Sequence, residues 1–439
     1  MRSIHILRTG LRTGLLGTAL AVIAVATPLV SLTGDRVLND KDIKKLSNEL
    51  ASWFEALDAR KGKLDAEEGV REELEKLNKK KGKQLKAGNL LAQPEDLGAV
   101  IYMANRYDKK FPKRGAGKVV SKTADGGRGT VEYAVWSPQK YKPKSGPYPL
   151  LLTIPDEGEN PEKHIMNRWN DGTLRETMLI ASPKMPGDSK KWTENDGLAA
   201  VLLTLREVSN IYAIDFDRVY IGGRGRGGET ALKIANMFPS RWAGAFAWGS
   251  DAGEGIPPEN MRHIPILICG GGSKSTAFAD AAKEAGIESV KLDSGGGQTE
   301  IMAWMNDVKR TKYPEEITLI PGERFPTGAY WLQIQPVPDP TGVRLDVSAN
   351  RESNTITINS KGITEATIYL SDEIVDLDKP VTVIANGVEK VQQFERSFRL
   401  VLQLLESGKV DPGRVFVAAD TFHIPSAGES DDGAGESDG

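Results

Sequence analysis

Cysteine is nearly absent from this sequence, and Cys269 is the only one among 439 residues. A disulfide within the chain is therefore impossible. This scarcity suits an exported protein that avoids accidental disulfides. The chain also lacks an excess of positive charge, because 57 lysines and arginines face 60 aspartates and glutamates and the net charge is −3. A basic domain is the usual mark of nucleic-acid binding, so we expect no nucleic-acid partner.

Histidine is scarce as well, with four residues in the chain. No group of histidine, cysteine and aspartate has the spacing of metal ligands, so we expect no metal site and no cofactor. His5 lies in the N-terminal segment, His263 precedes a predicted strand, and His423 lies beyond the predicted core. His164 is the histidine that could lie near a functional site.

The N-terminal segment, residues 1–34, has the features of a secretory signal peptide. Three arginines precede an uncharged run, LLGTALAVIAVATPLVSL, and residues 24–26 (Ala-Val-Ala) offer a cleavage site. An uncleaved membrane anchor is the alternative, because the run is close to the minimum spanning length of roughly 18 residues. We therefore predict an exported protein in the periplasm, at the cell surface or outside the cell. Contact with a membrane is expected only if the segment is not cleaved.

The rest of the chain divides by composition into four parts. Residues 35–117 have apolar residues at helical spacing and form a predicted helical N-terminal region. Residues 118–329 begin with two strand patterns and continue with apolar strand runs that alternate with helical patterns. Residues 330–425 read as short alternating strands in a small β-rich C-terminal module, and residues 426–439 as a disordered acidic tail. The predicted fold class is α/β, with a doubly wound, mostly parallel sheet.

One turn inside the α/β part is a candidate site. In VYIGGRGRGGETALKIANMF, a short strand enters a glycine-rich turn that opens a helix. Residues 223–228 match the dinucleotide-binding pattern G-x-G-x-x-G, and Asp251 follows at a distance where a ribose-binding carboxylate could lie. That pattern normally follows the first strand of its sheet, whereas here several strands precede it. A dinucleotide-dependent enzyme therefore stays as one alternative.

The segment IDFDRVYIGGRGRGGETAL resembles the nucleophile elbow of the α/β-hydrolase superfamily, in its secreted esterase and prolyl-oligopeptidase-like branch. The matching features are the Asp-x-Asp-Arg lead-in at 215–218, the strand at 219–221 and the double glycine at 227–228. The resemblance extends over about Lys118 to Pro336. It implies an α/β-hydrolase fold, with position 225 as the place of the serine nucleophile.

This sequence departs from that pattern at every catalytic position. The resemblance puts Gly225 at the nucleophile, Ser273 at the acid and Gln298 at the histidine. The reaction needs a nucleophile, a base and an acid that orients the base, and none of these three residues suits its role. The loop IPDEGEN at the expected oxyanion hole contains a proline, which lacks an N–H, and the carboxylates of Asp156 and Glu157, whose negative charge opposes stabilisation of an oxyanion. We therefore predict a pseudo-esterase without catalytic residues.

An active enzyme with relocated residues is a further alternative. Ser250 or Ser273 could pair with His164 in an ester or peptide hydrolase. The favoured function, however, is the binding of a ligand or a protein partner.

A binding site at the turn has a simple physical basis. The first N–H groups of a helix attract anions, and Arg224 and Arg226 flank the turn. A carboxylate or phosphate could lie over Gly225, with Gly227 and His164 completing a site for a small anionic or glycan ligand. The alternative is that both arginines pair with neighbouring acids such as Glu229 and hold the turn rigid.

Overall fold

A computed structural model describes residues 36–111, 115–126, 130–187, 189 and 191–426. Its helices are α1 Asp40–Ala59, α2 Lys63–Lys81, α3 Pro94–Ala104, α4 Tyr107–Lys110, α5 Pro161–Arg168, α6 Gly172–Thr177, α7 Asn195–Ile211, α8 Arg226–Met237, α9 Ser273–Glu284, α10 Gln298–Asp307 and α11 Phe398–Glu406.

The central domain is built on one large sheet. Its strands are β1 Val119–Asp125, β2 Thr130–Trp136, β3 Tyr148–Ile154, β4 Leu179–Pro183, β5 Ile214–Arg224, β6 Gly244–Trp248, β7 Ile266–Cys269 and β8 Val290–Asp293. They lie in the order β1-β2-β4-β3-β5-β6-β7-β8. Strand β2 is antiparallel to both neighbours, and the other pairings are parallel. The predicted fold class, a mostly parallel α/β sheet, is confirmed.

Burial explains the strand sequences. Every residue of β4 and β7 is buried, which fits continuous apolar runs rather than alternating ones. The outermost strand β8 is only partly covered, and its charged residues accord with an edge position. The central strands are therefore fixed by packing on both faces, and the loops that follow them begin at the carboxyl ends of the strands.

The C-terminal module contains two smaller sheets. Its strands are β9 Glu316–Leu319, β10 Gly328–Ala329, β11 Leu332–Gln333, β12 Arg344–Asn350, β13 Thr355–Lys361, β14 Glu365–Leu370, β15 Val381–Ala385, β16 Val388–Gln392 and β17 Ala418–His423. One sheet has the order β16-β15-β13-β12-β9 and the other β10-β11-β14-β17. Because β9 pairs with β12, this module begins before residue 330, where the composition changes. Strands β15 and β16 form a hairpin that turns at Asn386-Gly387, and both residues have positive φ, 45° and 86°.

The N-terminal helices share a hydrophobic core with the C-terminal module. Trp53 and Leu97 from the helices belong to the same buried cluster as Ile358 and Leu402. An ion pair at the surface also joins the two parts, because Lys63 of α2 lies 2.6 Å from Glu406 of α11. The helices begin where the sequence supplies caps: the Asn39 side chain accepts the N–H of Asp42 at the start of α1.

Two predictions concern residues outside the described part of the chain. These are the signal peptide or anchor at residues 1–34 and nearly all of the acidic tail. Among the residues that are described, no helix has both the length and the apolar character needed to cross a membrane.

Candidate functional site

The turn between β5 and α8 has an unusual backbone. Gly225 directly precedes α8 with φ 57° and ψ −131°, a conformation that L-residues rarely adopt. Its N–H donates to the carbonyl oxygen of Trp248 at 2.9 Å, and its own carbonyl accepts the N–H of Gly228 at 3.1 Å. These bonds fix residue 225 at the tip of the turn.

The glycines on either side of Gly225 are required by close packing. A Cβ atom at Gly223 would lie 2.6 Å from the carbonyl oxygen of Ile154 at the end of β3, and one at Gly227 would overlap that same oxygen. A Cβ at Gly225 would instead meet only the carboxylate oxygens of Asp156, at an ordinary 3.6 Å. Position 225 therefore has room for a side chain, although the sequence gives it none.

These features decide the fold. A strained turn between the fifth strand of an eight-stranded, mostly parallel sheet and the following helix is the nucleophile elbow of α/β hydrolases.

The central domain has an α/β-hydrolase fold.

The dinucleotide alternative is wrong on two counts. A dinucleotide-binding sheet has the strand order 3-2-1-4-5-6, and its glycine motif follows the first strand. Here the order is β1-β2-β4-β3-β5-β6-β7-β8, and the glycine motif follows β5. Asp251 accepts the N–H groups of Gly272 at 2.8 Å and Ser275 at 2.9 Å. It therefore caps α9, and these bonds, that of Ser275 first, lower the pKa of its carboxyl group.

Solved structures similar to this chain are esterases and serine hydrolases. A thermostable esterase has 21% identity and a TM-score of 0.38 over 44% of this chain, and the match spans 63% of that esterase, less than two thirds. An S-formylglutathione hydrolase from Staphylococcus aureus has 13% identity and a TM-score of 0.34, over 43% of this chain and 94% of that one. A feruloyl esterase module from Clostridium thermocellum has 15% identity and a TM-score of 0.33, over 46% and 89%. No family profile and no curated protein matches the chain. Since these scores are low, the fold assignment rests on the strand order and the turn.

The oxyanion side of the elbow carries a carboxylate. Oδ1 of Asp156 accepts the N–H of Gly227 at 3.0 Å, at the start of α8. The preceding residue, Pro155, has no N–H, and its carbonyl accepts the indole N–H of Trp192 at 2.8 Å. The protein thus supplies its own anion to the N-terminus of α8, and a ligand anion over Gly225 would have to lie beside the Asp156 carboxylate.

The other two positions of the expected triad hold amide and hydroxyl groups. Ser273 is the exposed first residue of α9. Gln298 is the first residue of α10, where its Oε1 accepts the N–H of Asp171 at 3.1 Å and its Nε2 donates to Asn170 at 3.4 Å. Neither side chain can hold a catalytic proton at neutral pH.

His164 lies beneath the elbow and is buried in a hydrogen-bond network. Its Nδ1 lies 2.8 Å from Oε2 of Glu159, and because a carboxylate only accepts, Nδ1 donates. Its Nε2 then accepts the hydroxyl of Thr153 at 2.9 Å, and that hydroxyl accepts the indole N–H of Trp169 at 2.8 Å. Burial lowers the pKa of His164, against the opposing effect of Glu159, so the ring is neutral.

The predicted pairing of His164 with Ser250 or Ser273 is wrong, because both ring nitrogens already have other partners. Thr153 and Glu159 were not among the predicted site residues. Thr153 carries a usable signal, since a hydroxyl inside the buried apolar strand YPLLLTI needs a hydrogen-bond partner.

A polar pocket of about 230 Å³ opens beside the turn. It is lined by Asp156, Glu159, His164, Arg168, Arg224, Gly225 and Gly249. Thus the structure places three of the predicted ligand-binding residues together, Arg224, Gly225 and His164.

The two flanking arginines have different surroundings. Arg226 is mostly exposed and lies 3.4 Å from Glu157, so its partner is not Glu229. The Arg224 guanidinium lies over the ring of Trp248, at 4.9 Å. No carboxylate lies within ion-pair distance of Arg224 in the described residues. Those residues also contain no cluster of acids, histidines or cysteine suited to a metal ion.

Proposed function

We propose that the protein is an exported, catalytically inactive member of the esterase-like α/β hydrolases, and that its elbow pocket binds a small anionic or glycan ligand. The observation that carries this proposal is Gly225, which has the backbone of a nucleophile elbow and no side chain. Esterase and serine hydrolase structures share the fold, but the fold alone does not give the activity.

The electrostatics of the site also favour inactivity. Acyl transfer needs donors aimed at the oxygen that becomes negative, and removing one such donor costs about 3 to 4 kcal/mol of transition-state stabilisation. Here the carboxylate of Asp156 lies against the N–H of Gly227 and would repel that negative charge. Glu159, His164 and Thr153 do form a hydrogen-bonded chain of an acid, a base and a hydroxyl. Thr153, however, is fully buried and cannot meet a substrate.

The ligand chemistry follows from the charges of the lining. Glu159 is engaged by His164 and lies 3.6 Å from Arg168, and Asp156 accepts from the backbone. Arg224 is the cation of this pocket that has no carboxylate partner among the described residues. A carboxylate on the ligand would pair with Arg224, and ligand hydroxyls would donate to Asp156. Sugar acids and acidic glycans combine both groups.

The test of inactivity is hydrolysis of a short-chain nitrophenyl ester by the purified protein, with His164→Ala alongside. We expect neither protein to exceed the background of buffer and serum albumin, and neither to react with a fluorophosphonate probe. Turnover by the wild type that His164→Ala abolishes would refute the proposal and reveal a working site near the elbow.

The test of ligand binding is a thermal-shift screen with sugar acids and oligosaccharides, followed by calorimetry. For a ligand found in this way, Arg224→Gln should weaken binding by about tenfold or more, because a charge-assisted pair is lost. Arg226→Gln is the matched control, since Arg226 already pairs with Glu157 outside the pocket lining. Equal affinities for Arg224→Gln and wild type would contradict the assignment.

A further inference from the structure

A second polar cavity lies between the central domain and the C-terminal module. Its volume is about 150 Å³, and the loop after α8, strands β10 and β11 and the loop after α11 surround it. It is separate from the elbow, because α8, with 12 residues, spans about 18 Å between them. The polar residues that matter for its chemistry are Ser240, Arg241, Tyr330, Gln333, Lys409 and Arg414.

Three cations line this cavity without a carboxylate partner. Arg241, Lys409 and Arg414 have no acidic group within ion-pair distance in the part of the chain that is described. Lys409 donates instead to neutral oxygens, Oη of Tyr369 at 2.6 Å and Oε1 of Gln333 at 2.9 Å. Burial, and then the positive charge of neighbouring arginine, lowers the pKa of Arg414 to about 10, so it stays charged at neutral pH.

The nearby acidic residues are already neutralised. Asp411 receives two bonds from the Arg310 guanidinium, at 2.7 and 2.8 Å. Asp217 lies 3.3 Å from Arg310 and 3.5 Å from Lys312. These two carboxylates therefore do not neutralise the positive charges of Arg241, Lys409 and Arg414.

Buried donors at the cavity also lack acceptors. Arg414 is 5% exposed, and its Nε has no hydrogen-bond partner among the described residues. Its Nη atoms reach only the carbonyl oxygens of Ser240 and Lys409, at 3.3 and 3.5 Å. Tyr330 is 7% exposed, and its hydroxyl has no partner in the same part of the chain. Tyr330 also has φ 52°, a strained value that tends to occur at binding sites.

We propose that this cavity is a binding site for a phosphate group. Its volume of about 150 Å³ is well above the roughly 10–15 Å³ that one water needs and is enough for one tetrahedral oxyanion. A phosphate group carries about 1.5 to 2 negative charges at neutral pH and offers acceptors in several directions. Arg241 and Arg414 supply guanidinium donors, Lys409 a point charge, and Tyr330 a hydroxyl donor.

Binding would join the two parts of the protein. Arg241 belongs to the central domain, whereas Tyr330, Lys409 and Arg414 belong to the segment that leads into and through the C-terminal module. A ligand that binds only the folded protein raises its stability with ligand concentration. Phosphate should therefore raise the melting temperature of the whole chain.

The experiment is calorimetric titration of the full chain with inorganic phosphate, against chloride at equal ionic strength. Wild type should bind phosphate, and Arg241→Gln should weaken binding by about tenfold or more. Arg399→Gln is the control: Arg399 is exposed on α11, pairs with Glu67 at 3.1 Å and does not line the cavity, so its loss should leave this binding unchanged. The absence of phosphate binding by wild type would overturn the proposal. So would equal binding by Arg241→Gln, or a loss caused by Arg399→Gln.

Tyr330→Phe provides a second variant that keeps the ring and its packing. In buffer without phosphate it should be at least as stable as wild type, because a buried hydroxyl without a partner is removed. With phosphate, its gain in melting temperature should be smaller than that of wild type. An equal gain would show that the Tyr330 hydroxyl does not face the ligand and would contradict the site as described.

Discussion

Two glycines of the elbow, Gly223 and Gly225, should respond differently to an added methyl group. Gly223 lies within β5, so alanine there has ordinary backbone geometry. Its Cβ would lie 2.6 Å from the Ile154 carbonyl oxygen and equally close to the Gly227 carbonyl carbon. Ordinary contact begins near 3.4 Å, so the shortfall is 3.4 − 2.6 = 0.8 Å. Both obstructing atoms are backbone and cannot rotate away, so β3 and the turn must separate.

We expect Gly223→Ala to lower the free energy of unfolding by about 3 kcal/mol or more, at the upper end of overpacking effects. Gly225→Ala should cost only about 1 to 2 kcal/mol, because it strains φ but meets nothing closer than 3.6 Å. Gly158→Ala is the control for strain alone, since Gly158 has φ 82° and no neighbour within 4 Å of an added Cβ.

The assay is urea unfolding followed by tryptophan fluorescence, at one protein concentration for all variants. Gly225→Ala should resemble Gly158→Ala, and Gly223→Ala should be clearly less stable than both. If Gly223→Ala were as stable as wild type, or if Gly225→Ala were the most damaging, the close packing of the elbow against β3 would be wrong. Gly225→Ser should fold like Gly225→Ala and still fail to hydrolyse esters, because His164 is held by Thr153.

Three further outcomes follow from buried groups. Arg310→Met should destabilise the protein by about 3 to 5 kcal/mol in urea unfolding, because the buried Asp411 carboxylate loses its partner; a change near zero would contradict the pairing. Burial lowers the pKa of His164, so the unfolded chain takes up a proton first and stability should fall as the pH drops below about 6.5. His164→Gln should flatten this dependence of the urea midpoint, measured between about pH 5 and 8. The partly buried His263 contributes with the same sign, because desolvation lowers its pKa too. Burial also raises the pKa of Cys269 to about 11, so a thiol reagent should label it only in denaturant; rapid labelling of the native protein would refute its burial.

Much of the fold could be predicted from local patterns. Mostly apolar runs such as residues 148–154 indicate strands covered on both faces, and the structure buries nearly all of that strand as β3. The hairpin at Asn386-Gly387 follows from residues that tolerate positive φ. The start of the C-terminal module was harder to predict, because β9 is a short strand whose partner, β12, lies some 30 residues further along.

The candidate site was only partly predictable. The elbow and the glycine at position 225 are visible in the sequence because the motif is contiguous. The hydrogen-bond partners of His164 could not be predicted in this way, because they depend on which oxygen atoms the packing of the chain brings close to the ring. Thr153 lies within hydrogen-bond distance of His164 and Ser250 does not, although both hydroxyls would serve chemically.

The sequence by itself determined the sheet, the turn and the glycine at position 225, since each depends on residues that are neighbours along the chain. Only the tertiary structure decided where the charges lie. It brings Asp156 to the first turn of α8, and it gathers Arg241, Tyr330, Lys409 and Arg414 around one cavity. These groups come from distant parts of the chain, and no periodic pattern records which side chains burial will place together or leave without partners.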